Sequence, residues 1–247
     1  MSDTATTAPA RLELDVWLDV ACPFCVVGEK RLNQVIETLP FKGEVDVRFH
    51  SFQLNPDAPE RTTQTQAEYL ASRGMDPARL EASHRHLDQQ AGELGFSFDH
   101  DAVVPVNTFT AHRMIQAAAA EGVQEQVVDA LFTGYFSTGL DVGDADALRA
   151  AVVGAGLSEA AADRVLADPD AFAAEVNDDI AQARSLGIQG VPFYVIDGRY
   201  GVSGAQPAPV FEKALTQVYD ELNPKPALQT LGTTPDGEVC GPDGCAV

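Results

Sequence analysis

The chain has 247 residues, 45% of them hydrophobic, which is enough for one large domain or two small ones with a well-formed core. Its 37 acidic and 16 basic residues give a formal net charge of −21, spread along the chain. Because such a surface repels a phosphate backbone, the composition argues against a nucleic-acid partner. Four cysteines are too few for a secreted disulfide scaffold.

The sequence shows no targeting or membrane segment. Residues 1–10 have neither a basic start nor an apolar core of signal-peptide length, and no later window reaches the roughly 18 apolar residues of a membrane span. We therefore expect a cytoplasmic protein without a membrane partner. Thiols in that compartment are normally kept reduced, so a close cysteine pair is more often catalytic, redox-sensing or metal-binding than structural.

A β–α–β pattern opens the chain. Residues 12–20 alternate apolar and polar side chains and then become mostly apolar, which is typical of a strand that becomes buried on both faces. Pro23 tolerates the first position of a helix, and the apolar spacing extends that helix to Leu39-Pro40. A second strand is predicted over residues 45–49.

The middle of the chain, from about residue 64 to residue 186, has helical periodicity. Five pairs or single residues have the chemistry of a helix start: Asp76-Pro77, Asn107-Thr108, Asp144, Ser158 and Asp168-Pro169. We therefore predict a helical block of about 120 residues.

Strand character returns at residues 191–196. Asp197-Gly198 then separates this run from a short strand over residues 200–203, and Asp-Gly between apolar runs predicts a hairpin. A closing helix is predicted over residues 210–219. The whole pattern is β–α–β, a helical insertion and β-hairpin–α, which favours an α/β protein with one mixed sheet and the insertion against one side.

The sequence Cys22-Pro23-Phe24-Cys25 follows the first strand and offers redox chemistry. At the mouth of the first helix, Cys22 would meet free backbone N–H groups and the positive end of the helix, both of which favour the nucleophilic thiolate. Cys25, one turn further on, would be more buried and suited to resolving a mixed disulfide. This placement favours a redox pair over a structural disulfide.

A zinc site is the other interpretation of the cysteines, because Cys22 and Cys25 with Cys240 and Cys245 make four ligands. Pro23 favours a helix start over a metal-binding turn, and the second pair lies in a Gly- and Pro-rich tail. We therefore expect no metal at this site.

Four motifs in order resemble the DsbA-family thioredoxin-fold oxidoreductases, most closely the FrnE-like branch. They lie at residues 19–28, 52–56, 107–113 and 190–196 with 202–207. The resemblance covers residues 11–222 and implies a thioredoxin-like fold with a large helical domain inserted between its βαβ and ββα halves. Residues 11–63 and 187–222 would form the thioredoxin-like domain, 64–186 the inserted domain, and 1–10 and 223–247 flexible ends.

The resemblance also implies site residues. Cys22 and Cys25 would be catalytic, without a cofactor, and the Val191-Pro192 peptide would be cis and lie beside them. A cis bond there would let the Val191 backbone pair with an extended substrate. The residues expected to contact substrate are Pro23, Phe24, Val191, Pro192, Asn107 and His112. A structural role for His112 remains an alternative, and Asp19 either exchanges a proton or ends the strand.

The expected activity is thiol–disulfide oxidation, reduction or isomerisation of protein or peptide substrates. Glutathione or a thioredoxin-type reductant would restore the pair, and Cys240 and Cys245 would form an accessory redox pair; two unrelated tail thiols are the alternative. Many DsbA-type oxidants have histidine where Phe24 stands, so we expect weaker oxidising power here. The rival hypotheses are a glutathione-dependent isomerase or transferase, whose relatives typically have serine in place of Cys22, and a zinc-binding or chaperone-like module.

Overall fold

A four-stranded mixed sheet forms the centre of the fold. The computed structural model describes residues 8–224. The strands are β1 (Leu12–Leu18), β2 (Val45–Ser51), β3 (Phe193–Ile196) and β4 (Tyr200–Ser203), in the order β2-β1-β3-β4. Strand β1 is parallel to β2 and antiparallel to β3, which in turn is antiparallel to β4.

Helix α1 (Pro23–Thr38) connects β1 to β2, and α9 (Ala208–Leu222) follows β4. Seven helices lie between β2 and β3: α2 (Gln66–Ser72), α3 (Pro77–Glu93), α4 (Phe109–Glu121), α5 (Gln124–Thr133), α6 (Ala145–Gly154), α7 (Glu159–Ala167) and α8 (Ala173–Ser185). A 3-10 turn at Lys42–Glu44 precedes β2, and a π-helical turn at Gly134–Thr138 extends α5. The thioredoxin-like fold with helices inserted between its two halves is confirmed. No helix within residues 8–224 has the length and apolarity to cross a membrane.

Strand β1 divides its side chains between two cores because alternate residues point to opposite faces of a sheet. Leu12, Leu14 and Val16 belong to the main core, which includes residues of α1, α4, α5 and α9. Trp17 points the other way, into a small cluster with Ala183 of α8. Burial on both faces is what the apolar second half of the strand predicted.

Most predicted helix starts are confirmed, since Asp76, Asp144 and Ser158 each accept a hydrogen bond from a backbone N–H of the first turn. The start at Asp168-Pro169 is wrong. Asp168 ends α7, and α8 begins only after Phe172, whose φ of 58° is left-handed. The hairpin is confirmed, with φ of 52° at Asp197 and 62° at Gly198.

His50 joins β2 to the inserted helices through a half-buried ion pair. Its Nε2 lies 2.8 Å from Asp15 Oδ1, its Nδ1 lies 2.7 Å from Asp179 Oδ1, and its ring stacks on Trp17 at 4.4 Å. Burial alone would lower the pKa of His50. Hydrogen bonds to the two carboxylates and their charges outweigh burial and raise the pKa to about 9.

This cluster predicts a pH dependence of stability. Because the folded pKa of His50 is raised, its contribution is complete below the unfolded value of about 6.5 and is lost as the pH rises through 9. The difference in free energy of unfolding between the wild type and His50→Gln should shrink by roughly 2–3 kcal/mol between pH 6 and pH 10, measured by urea denaturation. The exposed His86→Gln is the control, and a difference independent of pH would contradict the assignment.

Candidate active site

The turn from β1 into α1 places both cysteines. The backbone N–H of Cys22 donates to Asp19 O at 3.0 Å, and the N–H of Cys25 donates to Cys22 O at 3.0 Å. Cys22 is the N-cap of α1 and Pro23 is its first residue. Proline suits this position because the first backbone N–H groups of a helix have no partner within the helix, and proline has no N–H. Both cysteines are free thiols and almost fully buried, with 3% of Cys22 and 1% of Cys25 exposed.

The residues before β3 face Cys22. The Val191-Pro192 peptide is cis, as expected, and the Cys22 thiol donates to the Val191 carbonyl oxygen at 3.5 Å. The Pro192 carbonyl accepts from Gly204 N–H at 2.8 Å. Pro192 itself has no N–H for a ladder, so β3 begins at Phe193, two residues later than predicted. The Val191 backbone therefore lies beside the first sulfur.

Gly28 lets α1 approach this segment closely. A Cβ at Gly28 would lie 2.2 Å from the Tyr194 hydroxyl and 3.0 Å from Pro192 Cγ. Tyr194 is fully buried and packs edge-on against Phe211 of α9, so it has little room to move. Glycine at this position therefore fixes the distance between the helix that carries the thiols and the strand that carries Pro192.

Gly28→Ala should destabilise the protein although alanine is the better helix former. We expect a loss of about 1–3 kcal/mol in the free energy of unfolding, because Tyr194 and Pro192 must move apart from α1. Gly92→Ala is the matched control: Gly92 lies in α3 with nothing within 4 Å of the added Cβ, and it should gain up to about 1 kcal/mol. Urea denaturation measures the free energy of unfolding of both variants. A stabilising Gly28→Ala would contradict the prediction, because Tyr194 and Pro192 would then have moved aside at little cost.

The two thiols have different environments. Burial raises the pKa of the Cys25 thiol well above its usual value, and the hydrogen bond and charge of Cys22 raise it further. Cys25 therefore keeps its proton at neutral pH. Cys22, in contrast, lies at the N-terminus of α1 with its sulfur toward Val191. This asymmetry suits Cys22 to attack a disulfide first and Cys25 to attack the mixed disulfide that results.

A buried carboxylate lies beneath the pair. Asp19 is 1% exposed, and its Oδ1 accepts hydrogen bonds from Thr108 Oγ1 at 2.9 Å and from Ala21 N–H at 3.2 Å. Its Oδ2 accepts from Leu54 N–H at 2.8 Å. His112 Nε2 lies 3.2 Å from Oδ1. Asp19 therefore joins β1, the loop after β2 and α4 directly below Cys22, and does more than end the strand.

The environment of Asp19 keeps it ionised. Burial would raise the pKa of Asp19, but hydrogen bonds from His112, Leu54 and Thr108 and the charge of His112 together lower it. His112 is 0% exposed. The expected contact between His112 and a substrate is therefore corrected: its side chain lies inside the protein and its partner is Asp19.

Asp19→Asn should cost stability, because an amide nitrogen would face hydrogen-bond donors and the partner His112 would remain buried. We expect a loss of about 2–4 kcal/mol at pH 7, measured by urea denaturation. Asp57→Asn makes the same change at an exposed position of the loop after β2, so it is the control and should change the stability little. A loss below about 0.5 kcal/mol would contradict the role assigned to this carboxylate.

Two further residues that were predicted to contact substrate line two different cavities. Phe24 is 37% exposed and lies in a groove of about 630 Å³, which Arg31, Gln90 and Pro207 also line. Asn107 lies instead in another cavity, of about 570 Å³, where its amide donates to Pro56 O at 2.8 Å. Asn107 thus also holds a loop. Its contact with substrate stays a prediction.

Cys240 and Cys245 lie outside the described residues, so the accessory redox pair stays a prediction and the four-cysteine zinc site stays its untested alternative. Sequence analysis missed two buried polar groups near the thiols, Glu29 and Tyr194. The sequence carried no signal for Glu29, because it opens the charged run Glu29-Lys30-Arg31 and has the pattern of an exposed position. Tyr194 carried no signal either, since it lies within an apolar strand.

A dithiol at the start of α1 and a cis-proline before β3 define the class of thioredoxin-fold proteins with a Cys-x-x-Cys centre. Residues 13–216 match the model of the DSBA-like thioredoxin domain. The chain belongs to this DsbA-like family. No curated protein matches it.

Solved structures agree with this assignment. The chain is similar to a probable DsbA oxidoreductase from Streptomyces coelicolor, with 38% identity, a TM-score of 0.80 and coverage of 96% of this chain and 99% of that chain. Two more distant structures share the fold. The cytosolic disulfide reductase DsbM from Pseudomonas aeruginosa, solved with GSH, is 20% identical, with a TM-score of 0.58 and coverage of 83% and 98%. A 2-hydroxychromene-2-carboxylate isomerase is 16% identical, with a TM-score of 0.64 and coverage of 85% and 97%.

Proposed function

We propose that the protein is a thiol–disulfide oxidoreductase that uses Cys22 and Cys25 on protein or peptide disulfides. The observation that carries the proposal is the position of the Cys22 sulfur, at the N-terminus of α1 and 3.5 Å from the Val191 carbonyl oxygen. A helix N-terminus stabilises a thiolate, and the Val191 backbone lies where an extended chain would pass the sulfur.

In the proposed reaction, the Cys22 thiolate attacks one sulfur of a substrate disulfide. A Cys22–substrate disulfide forms and the other substrate sulfur leaves as a thiolate. Cys25 then attacks the Cys22 sulfur, the Cys22–Cys25 disulfide forms, and the second substrate thiolate leaves. The substrate gains two electrons and the pair loses two. The reverse sequence oxidises a substrate dithiol, and shuffling between the two gives isomerisation.

Phe24, Pro23, Val191 and Pro192 are the residues proposed to contact the substrate. Phe24 supports this role because it offers an exposed aromatic surface next to Cys22, at the edge of the 630 Å³ groove. Aromatic side chains give large apolar contact area at low entropic cost. Phe24 adds no charge or polar donor near the sulfur, so weaker oxidising power than in histidine-containing relatives is part of the proposal.

The cell compartment and the recycling partner belong to the same proposal. In the cytoplasm, reduced thiol pools would regenerate the dithiol, with glutathione or a thioredoxin-type protein as the reductant. DsbM, a cytosolic disulfide reductase solved with GSH, shares this fold and is consistent with that setting. Cys240 and Cys245 are proposed to accept electrons from, or pass them to, the first pair.

Insulin reduction by the purified full-length protein with dithiothreitol tests the proposal. Cys22→Ser should reduce the rate to that of dithiothreitol alone, because a serine hydroxyl cannot form the mixed disulfide with the substrate. Cys25→Ser should trap a mixed disulfide that mass spectrometry detects.

Phe24→Ala tests the proposed substrate contact. This change keeps both thiols, so it should weaken substrate affinity and leave the thiols reactive.

The double variant Cys240→Ser/Cys245→Ser tests the role of the second cysteine pair separately from that of Cys22 and Cys25. If the tail recycles the pair, multiple turnover with glutathione should fall several-fold while a single turnover stays unchanged. A wild type no faster than dithiothreitol alone would refute the disulfide activity. Glutathione-dependent turnover of a small molecule that survives Cys22→Ser would instead support an isomerase or transferase, and zinc held by all four cysteines would support the metal-binding module.

A further inference from the structure

Arg31 is a half-buried cation of α1 that the reaction above does not use. Within residues 8–224 its guanidinium pairs with no carboxylate and donates to three neutral oxygens instead. Nη1 donates to Ala205 O at 2.8 Å and to Gln206 O at 3.0 Å. Nη2 donates to Gln90 Oε1 of α3 at 3.1 Å. Because the donors of a guanidinium point in fixed directions, these bonds set the positions of three segments relative to one another.

The two carbonyl groups belong to the turn at residues 204–206, between β4 and α9. Gly204 has a left-handed φ of 79°, which favours glycine, and its carbonyl accepts the Gln206 N–H at 2.8 Å. The Gln206 side chain donates to Ser203 O at 2.7 Å. The turn is therefore closed by its own hydrogen bonds, so the position of its carbonyl groups also fixes the position of Gly204.

The same turn holds the segment that faces the first thiol. The Gly204 N–H donates to Pro192 O at 2.8 Å. A cis bond joins Pro192 to Val191, whose carbonyl oxygen lies 3.5 Å from the Cys22 sulfur. Within the described chain, the hydrogen bonds of Arg31 are the ones that join α1 to this turn. Arg31 therefore links the helix that carries the thiols to the segment opposite them.

We propose that Arg31 is a positioning residue for the substrate: it holds the 204–206 turn against α1 and so keeps the Val191 backbone where an extended peptide can pair with it beside Cys22. The inference rests on the proposed disulfide chemistry and narrows its substrate class to disulfides within an extended backbone. A segment already held in its bound geometry has less freedom to lose when the substrate arrives. Without Arg31 the turn can shift, and hydrogen bonds weaken away from their preferred geometry.

Two neutral disulfides with the same leaving group separate backbone pairing from thiol reactivity. One is 4,4′-dithiodipyridine, which has no backbone, and the other is an extended peptide whose single cysteine is joined to pyridine-4-thiol. The Cys22 thiolate attacks the peptide sulfur, a Cys22–peptide disulfide forms, and the pyridine thiolate leaves and takes a proton from solvent. The leaving group is measured by its absorbance.

The full-length chain carries Cys25→Ser, Cys240→Ser and Cys245→Ser in this experiment, so Cys22 is its only thiol. This chain is the reference, and the substitutions at Arg31 are made in it. Stopped-flow rates at increasing peptide concentration give an apparent Kd and a limiting rate.

Arg31→Met keeps an apolar side chain and removes the donors. It should raise the apparent Kd for the peptide at least about fivefold and leave the limiting rate within about twofold, because positioning acts on binding. Its rate with 4,4′-dithiodipyridine should match that of the reference. Arg31→Lys keeps the charge without the planar fork, so its apparent Kd should lie between the two.

Two control variants leave the bonds to the turn in place. Gln90→Ala removes the bond to α3, and Arg79→Gln removes a positive charge at an exposed position of α3. Both should stay within about twofold of the reference with both disulfides.

A peptide N-methylated at the residues that flank its cysteine tests the path through Val191. It lacks the N–H groups that backbone pairing needs, so the reference should bind it more weakly than the unmodified peptide. Arg31→Met should then lose no more than about twofold in affinity for the methylated peptide, because two changes that remove one interaction are not additive. Equal losses for both peptides would point to direct contact or to general destabilisation, and would overturn the inference.

The outcomes separate the two proposals. If Arg31→Met and Arg31→Lys both bind the unmodified peptide as tightly as the reference, this inference is wrong and the disulfide chemistry stands. If Cys22 of the reference reacts with neither disulfide, the proposed function itself fails.

Discussion

The buried Asp19 carboxylate is the interaction on which the geometry of the site depends. It lies where β1 ends, three residues before Cys22, and it collects donors from the loop after β2 and from α4. The first half of the thioredoxin-like sheet and the inserted helices therefore meet at one group. Because its backbone carbonyl also accepts the Cys22 N–H, the same residue fixes the start of α1.

Burial gives the two thiols of one short motif different chemistry. Cys22 occupies a helix N-cap and faces a backbone carbonyl, whereas Cys25 is buried in the core. Desolvation opposes the charged form of a thiol and raises the pKa of Cys25, so Cys25 ionises less readily than a free thiol. The spacing of the motif provides both environments within one helical turn, with Gly28 keeping β3 close enough to complete them.

The sequence predicted the fold and the centre because both depend on local signals. Apolar alternation identified β1, Pro23 marked the start of α1, and Asp197-Gly198 marked the hairpin. The wrong helix start at Asp168 shows the limit of such signals, since a residue suited to begin a helix can equally end the previous one. The partners of Asp19 and the position of Tyr194 against Gly28 depend on contacts between distant segments, which no local pattern encodes.

Asn223, at the end of α9, holds Ala10 by two hydrogen bonds, of 2.7 and 3.1 Å. The two bonds join a residue shortly before β1 to the residue just after α9, and these residues are 213 positions apart in sequence. Termini fray unless they are tied to the rest of the fold. Fraying that begins at either end of the described chain must therefore break both bonds before it reaches β1, so these bonds limit how far the active-site strand can open from its far end.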